Sequence, residues 1–251
     1  MSNYNSFRMN CLVGMNDTTE VNYVENYLYT ANQDFTKFHW QTIDLYNRKF
    51  ISSCSLKDDD LTQWRLYADD SKGACLVLTI NPSIDNKSFI IKKISYGQKG
   101  GGHKELDLLR DIIIELKQKL YITFKYKNME TWKQFFKPYD YSIEEEVRIL
   151  YTSQEDESNK KAWVLTSSHN ILNPYIEFKL NNKDLPFTLS EIILGPKCPE
   201  KELNQRQFEH FIRELRKRKI EVDSMDKENS GINEYNIASL QVSISKINNY
   251  R

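Results

Sequence analysis

Tyr141-Ser142-Ile143-Glu144-Glu145-Glu146-Val147-Arg148-Ile149-Leu150-Tyr151 reads as a β-strand, because its second half is β-branched and aromatic and turn residues flank it. Glutamate has poor strand propensity, so three in a row on such a segment need a reason. Ahead of it, Leu106, Leu109, Ile113, Leu116, Leu120 and Phe124 recur at steps of three and four, which predicts one apolar stripe on a helix from about Lys104. A shorter helix is predicted around Glu130 to Phe136, ending before Pro138. A strand that follows two helices, with no regular strand-helix alternation, points away from a doubly wound parallel sheet.

Working outward, Gly73 to Ile80 is a continuous apolar run stopped by Asn81-Pro82, which predicts a strand buried on both faces with Phe89 to Tyr96 as its partner. Lys49 to Ser55 predicts a strand ending in a polar corner, and Asp58 to Asp60 start a short helix, Leu61 to Tyr67. Nearer the start come a short apolar run, Phe7 to Val13, and a helix near Val21 to Tyr29 with Asp17 or Thr19 as its cap. A polar aromatic segment with His39 and Trp40 lies between them and the Lys49 strand. Downstream, a charged loop from Ser153 to Lys161 precedes strands at Ala162 to Thr166, Ile176 to Leu180 and Ser190 to Leu194. The helix after Pro199 has Leu203, Phe208, Phe211, Ile212 and Leu215 on one side, and Arg213 to Lys219 are read as its dipole-matched basic end. Ala238, Leu240, Val242 and Ile244 alternate with polar residues, as in a half-buried antiparallel strand. The expected architecture is α+β, a mixed, largely antiparallel sheet with flanking helices, in a single domain over 1–251.

The chain's 35 Lys+Arg balance 35 Asp+Glu, so it lacks the basic excess of a protein that grips many phosphates. No apolar window is long enough to span a bilayer and the first residues lack a signal-peptide pattern, so no membrane contact and a cytoplasmic location are expected. Cys11, Cys54, Cys75 and Cys198 lie far apart without a CxxC pair, as expected of reduced, mostly buried thiols rather than a zinc site. The Gly-rich loop from Lys99 to Lys104 lacks Walker spacing, and no HExxH or GxSxG motif is present.

The chemistry-bearing segment is again Glu144 to Arg148. A strand of period two sends Glu144, Glu146 and Arg148 to one face, with the two carboxylates about seven Å apart. Mutual repulsion would raise one acid while Arg148 lowers both, leaving a carboxylate able to orient a donor hydroxyl or stabilise a cationic transition state. A solvated strand face carrying an ion pair fits the same residues and is the commoner case. Metal-dependent nuclease chemistry lacks its usual lysine two positions on, where Arg148 stands. Ser53 and Ser55 send two hydroxyls to one side of a strand end, and Trp64 and Tyr67 lie on the short helix beside it.

Met15 to Glu20, Ile51 to Ser55 with Gln63 to Asp69, and Phe136-Lys137 with Tyr141, Glu144, Glu146 and Arg148 together resemble the bacterial domain-of-unknown-function 2971 family. Gly73 to Leu76 and Ile192 to Gly195 fit the same pattern over about residues 7 to 245; the family's aromatic-basic first strand is short or missing here and Thr18 stands for its turn proline. The resemblance implies a cytoplasmic bacterial protein, often of stress or anti-phage loci. The order Arg8, Ser53-x-Ser55, Glu144-x-Glu146 is similar to the Arg-Ser-Glu class of ADP-ribosyltransferases. That likeness implies an NAD-consuming enzyme, a toxin or anti-phage effector, with a protein or nucleic acid as acceptor and no metal. Arg8 would hold the NAD phosphates, Ser53 and Ser55 support the site, and Glu146 stabilise the ribosyl oxocarbenium electrostatically. Glu144 would orient the acceptor, Arg148 tune the acids, and Trp64 or Tyr67 stack on nicotinamide. The rival expectation is a non-catalytic ligand-sensing or protein-binding module of a defence or stress system, in which Glu144, Glu146 and Arg148 form a structural ion-pair strand.

Overall fold

The computed structural model describes residues 6–12, 18–29, 48–121, 128–154, 161–166, 171–180, 184–225 and 239–248. His39, Trp40, Phe124, Asp17, Ala238 and most of the Ser153 to Lys161 loop lie outside them. In chain order the elements are β1 (Ser6–Cys11), α1 (Thr18–Val21), α2 (Tyr23–Tyr29), β2 (Lys49–Ser55), α3 (Leu61–Tyr67), β3 (Ala74–Ile80), β4 (Phe89–Lys93) and β5 (Ser95–Tyr96). They continue with α4 (Lys104–Leu120), α5 (Met129–Trp132), β6 (Phe136–Lys137), β7 (Glu146–Thr152), β8 (Lys161–Thr166), β9 (Ile171–Lys179), β10 (Phe187–Leu194), α6 (Lys201–Met225) and β11 (Gln241–Ile244). A six-stranded sheet runs β4-β7-β2-β1-β9-β8, a three-stranded sheet β11-β10-β3, and β5 pairs with β6. Most of the pairing is antiparallel, so the class is the expected α+β. No helix among the described residues is long and apolar enough to cross a membrane.

The residues group into two compact units, one of Met1–Phe7, Lys57–Asn86 and Phe178–Arg251, the other of Arg8–Leu56 and Lys87–Glu177. In the second unit β7 is central: β2 pairs with it from Lys49↔Thr152 to Ser55↔Glu146, and β4 from Phe89↔Tyr151 to Lys93↔Val147. The Phe89 strand was expected beside β3 and instead joins β7, and the chain breaks into β5 after Ile94, whose N–H bonds the Glu146 carbonyl at 2.9 Å. The glutamate run is not one strand. Tyr139–Glu144 forms a 3-10 helix, Glu145 takes φ 44, and β7 begins only at Glu146. This corner is the reason three acids stand in a row: only one of them has to adopt strand geometry.

Leu12, Ile51, Ile94, Phe135 and Leu150 form a core on one face of this sheet. Val24 and Leu28 of α2 pack with Leu106 of α4 and Met129, which is what the three-four stripe required. α4 stops at Leu120 because Tyr121 turns left-handed at φ 54, leaving Leu120 exposed. Its N-terminus follows Gly100, Gly101 and Gly102, all at positive φ, a conformation glycine adopts without steric cost. The segment expected as one helix from Glu130 is α5 followed by a 3-10 turn at Lys133–Phe135 and then β6, since Phe136 is already extended.

In the first unit β10 lies between β3, antiparallel from Phe187↔Ile80 to Leu194↔Ala74, and β11, parallel from Glu191↔Gln241 to Leu194↔Ile244. β11 was expected antiparallel; period two is the same in both, and α6 between the strands supplies the crossover a parallel pair needs. β3, expected buried on both faces, pairs with β10 alone among the described residues and leaves Leu76 and Ile80 half exposed. The basic run of α6 does not end it, as the helix continues to Met225. Gly195 follows β10 where a Cβ would stand 2.3 Å from the Ser71 carbonyl oxygen. α3 starts where Asp60 accepts hydrogen bonds from the N–H groups of Thr62 and Gln63. None of the four cysteines is in a disulfide; Cys11 alone is buried and Cys75 is exposed, since β3 is an edge rather than the centre of its sheet.

Candidate functional site

The pairing of β2 with β7 sets the candidate site, because directly opposed residues share a face: Ser53 stands across from Arg148 and Ser55 across from Glu146. Over that face lies β6, whose Lys137 points its ammonium at the acids. Lys137 Nζ is 2.6 Å from Glu146, 2.9 Å from Glu144 and 3.1 Å from Glu20 of α1. Arg148 Nε donates to Glu146 Oε1 at 2.7 Å and Nη2 to Oε2 at 3.2 Å, while Nη1 donates to the Gln134 carbonyl at 2.6 Å and Nη2 also pairs with Glu20. Ser53 Oγ donates to Glu146 Oε1 at 2.6 Å, and the Glu146 N–H donates to the Tyr96 hydroxyl at 2.8 Å. Ser55 Oγ donates to the Glu144 carbonyl at 2.7 Å.

Glu146 is 3% and Arg148 1% exposed, so this is an interior network of three carboxylates and two cations rather than a solvated rim. Each Glu146 oxygen takes two donors, which fills the capacity of an ionised carboxylate. Burial alone would push Glu146 up, but the guanidinium of Arg148 and the ammonium of Lys137 outweigh it and hold the acid below its ordinary 4.5. Burial opposes the charge on Lys137 and Arg148 too, and Glu146 with Glu20 raises both above their ordinary values. Burial likewise raises the Tyr96 hydroxyl. Such a cluster is strongly coupled: deleting one member strands another charge in the interior.

The structure therefore brings together Glu144, Glu146, Arg148, Ser53 and Ser55. Arg8 is not among them: its guanidinium pairs with Glu177 at 2.9 Å and lies 4.0 Å from the Tyr175 ring centre, on β9. Trp64 and Tyr67 belong to the other unit. There Trp64 is buried and donates through Nε1 to Asp59 at 2.7 Å, and Tyr67 is exposed. Two members of the network, Lys137 and Glu20, were given no role in the sequence reading. Both fall within the short segments that carry the family resemblance, and that was the available signal.

The family described as "Protein of unknown function (DUF2971)" matches residues 63–149, about a third of the chain. The matched stretch contains Lys137, Glu144, Glu146 and Arg148, and stops short of Glu20, Ser53 and Ser55. No curated protein and no solved structure matches the chain.

Proposed function

We propose that the chain is a non-catalytic ligand-sensing or protein-binding module of a bacterial stress or defence system, with the Glu146 network as its structural keystone. The observation that carries this reading is the saturation of Glu146: both oxygens are fully donated to, at 3% exposure, by Arg148, Lys137 and Ser53. An acid that stabilises a ribosyl cation must turn a free lone pair toward it, and Arg8, the cation expected on NAD phosphates, lies on β1 beside Glu177 and Tyr175 of β9, outside the network. Like Ser55, Ser53 is an exposed member of the network. Its proton goes inward to Glu146, so it offers oxygen lone pairs outward, to a donor on a ligand or partner.

One observation favours the NAD-consuming transferase as a second reading. The Ser53-Glu146 hydrogen bond joins the serine strand to the second glutamate, the support that the Arg-Ser-Glu resemblance implies. Nicotinamide release from NAD by the purified protein separates the two, with Glu146→Gln alongside. The binding-module reading expects no release above buffer and a variant of lower melting temperature. Release by the parent that disappears in a variant still folded by circular dichroism would overturn it in favour of the transferase.

A further inference from the structure

Helix α4 carries a second apolar stripe that its packing leaves unused. Leu106 and Leu109 face α2, and Ile113 is buried on the same side. On another side Leu108 is 62% and Ile112 44% exposed, and at the C-terminal end Leu120 is 59% and Tyr121 89% exposed. At a helical step of about 100° per residue, Glu105, Leu108, Ile112, Glu115, Leu116 and Lys119 fall in one sector about 100° wide. A shallow depression lined by Ile112, Glu115, Leu116, Lys119 and Leu120 runs along it. Scattered surface leucines are ordinary, but a continuous stripe along one helix is the mark of an interaction face.

The charges on this sector choose the occupant. Glu105 lies at its N-terminal end and Lys119 at its C-terminal end, with side chains 59% and 71% exposed. Lys119's contact within the chain, to Glu115, is a surface pair that exchanges readily, whereas Glu105 Oε2 lies 3.1 Å from Nδ1 of His103, whose ring is buried, and keeps its other oxygen for a partner. We propose that α4 pairs antiparallel with α4 of a second copy of this chain, about a two-fold axis at Ile112. That symmetry sets Ile112 against Ile112, Leu108 against Leu116, and Glu105 against Lys119 at both ends, so one patch is complementary to itself. A parallel arrangement would set Glu105 against Glu105 and Lys119 against Lys119. A single helix face is at the small end of specific interfaces, so the pairing is weak and reversible, on the order of micromolar.

Sedimentation velocity over a micromolar concentration series tests this on the full chain. The parent shifts from one-chain to two-chain mass as concentration rises, and Ile112→Glu stays at one-chain mass. Glu105→Lys and Lys119→Glu each weaken pairing about tenfold, because two attractive pairs become repulsive together, and the double variant recovers it. A parent at one-chain mass throughout, a dimer unaffected by Ile112→Glu, or a double variant no tighter than its single parents would each overturn the proposal. Ile112 and Lys119 are exposed, so their variants leave the melting temperature near the parent's and separate lost pairing from lost fold; Glu105→Lys also loses its contact with buried His103 and its place at the helix N-terminus, so it is judged by whether the double variant recovers pairing.

Discussion

Two seven-residue strands invert the usual reading of hydropathy. β3, Ala-Cys-Leu-Val-Leu-Thr-Ile, is apolar almost throughout, yet none of its residues is buried and Leu76 is 55% exposed. β7 opens Glu-Val-Arg, and every residue from Glu146 to Tyr151 is buried. Position in the sheet explains the inversion. β7 has β2 on one side and β4 on the other, whereas β3 is at the end of the order β11-β10-β3. A strand's burial follows from its neighbours, and an interior strand can hold charges when other elements bring partners to them.

The comparison is most easily broken at Arg148. Arg148→Met leaves Glu146 and Glu20 without their guanidinium in the interior, and is expected to cost about 3–5 kcal/mol, read as a fall in the urea midpoint. A cost near zero would mean that the network is wet and the burial contrast false. Leu150, fully buried in the same strand, is expected to cost about 2–5 kcal/mol on truncation to Ala. Acid sharpens the electrostatic half. Because Glu146 is held below 4.5 in the folded chain, its contribution is fully present above that value. It is lost as pH falls through the lowered folded value, where the unfolded chain has already taken up the proton. In acid unfolding curves Glu146→Gln therefore shows a shallower decline below pH 4.5 than the parent; parallel curves would remove Glu146 from the acid response. The smallest effect is expected on β3, where Leu76→Ala shifts stability by at most about 1 kcal/mol, against the several lost at Leu150.

Local patterns showed most of the elements in the sequence, and tertiary pairing hid the rest. The α4 stripe and the Lys49 to Ser55 strand were legible because helical spacing and a short run that ends in a polar corner are local signals. The Phe89 strand's true partner, β7, was not, since nothing within a strand names its neighbour. The direction of β11 was equally silent, since alternation has no sense of parallel or antiparallel. At the candidate site Glu146 and Arg148 were legible as one strand face and the two serines as one side of another strand, but neither the register that sets them opposite each other nor the 3-10 turn that holds Glu144 was. The burial of Glu146 under Lys137 depends on β6, a two-residue strand too short to leave a pattern, and on Glu20 far earlier in the chain. Arg8 was misplaced for a similar reason: its partner Glu177 is 169 residues away.

The two units also differ in when a ribosome could finish them. β2, β4 and β7 all lie between Lys49 and Thr152, so the heart of the larger sheet can close while the remaining two fifths of the chain is still being made. The smaller sheet has β3 near its beginning and β11 at Gln241–Ile244, with the whole of β4 to β9 intervening. During synthesis β3, with its exposed apolar side chains, waits unpaired for β10 through more than a hundred residues of elongation. Of these two strands, the apolar edge strand is therefore the one whose partner is made later, and the charged strand that looks hardest to bury is the one whose neighbours are both made before it.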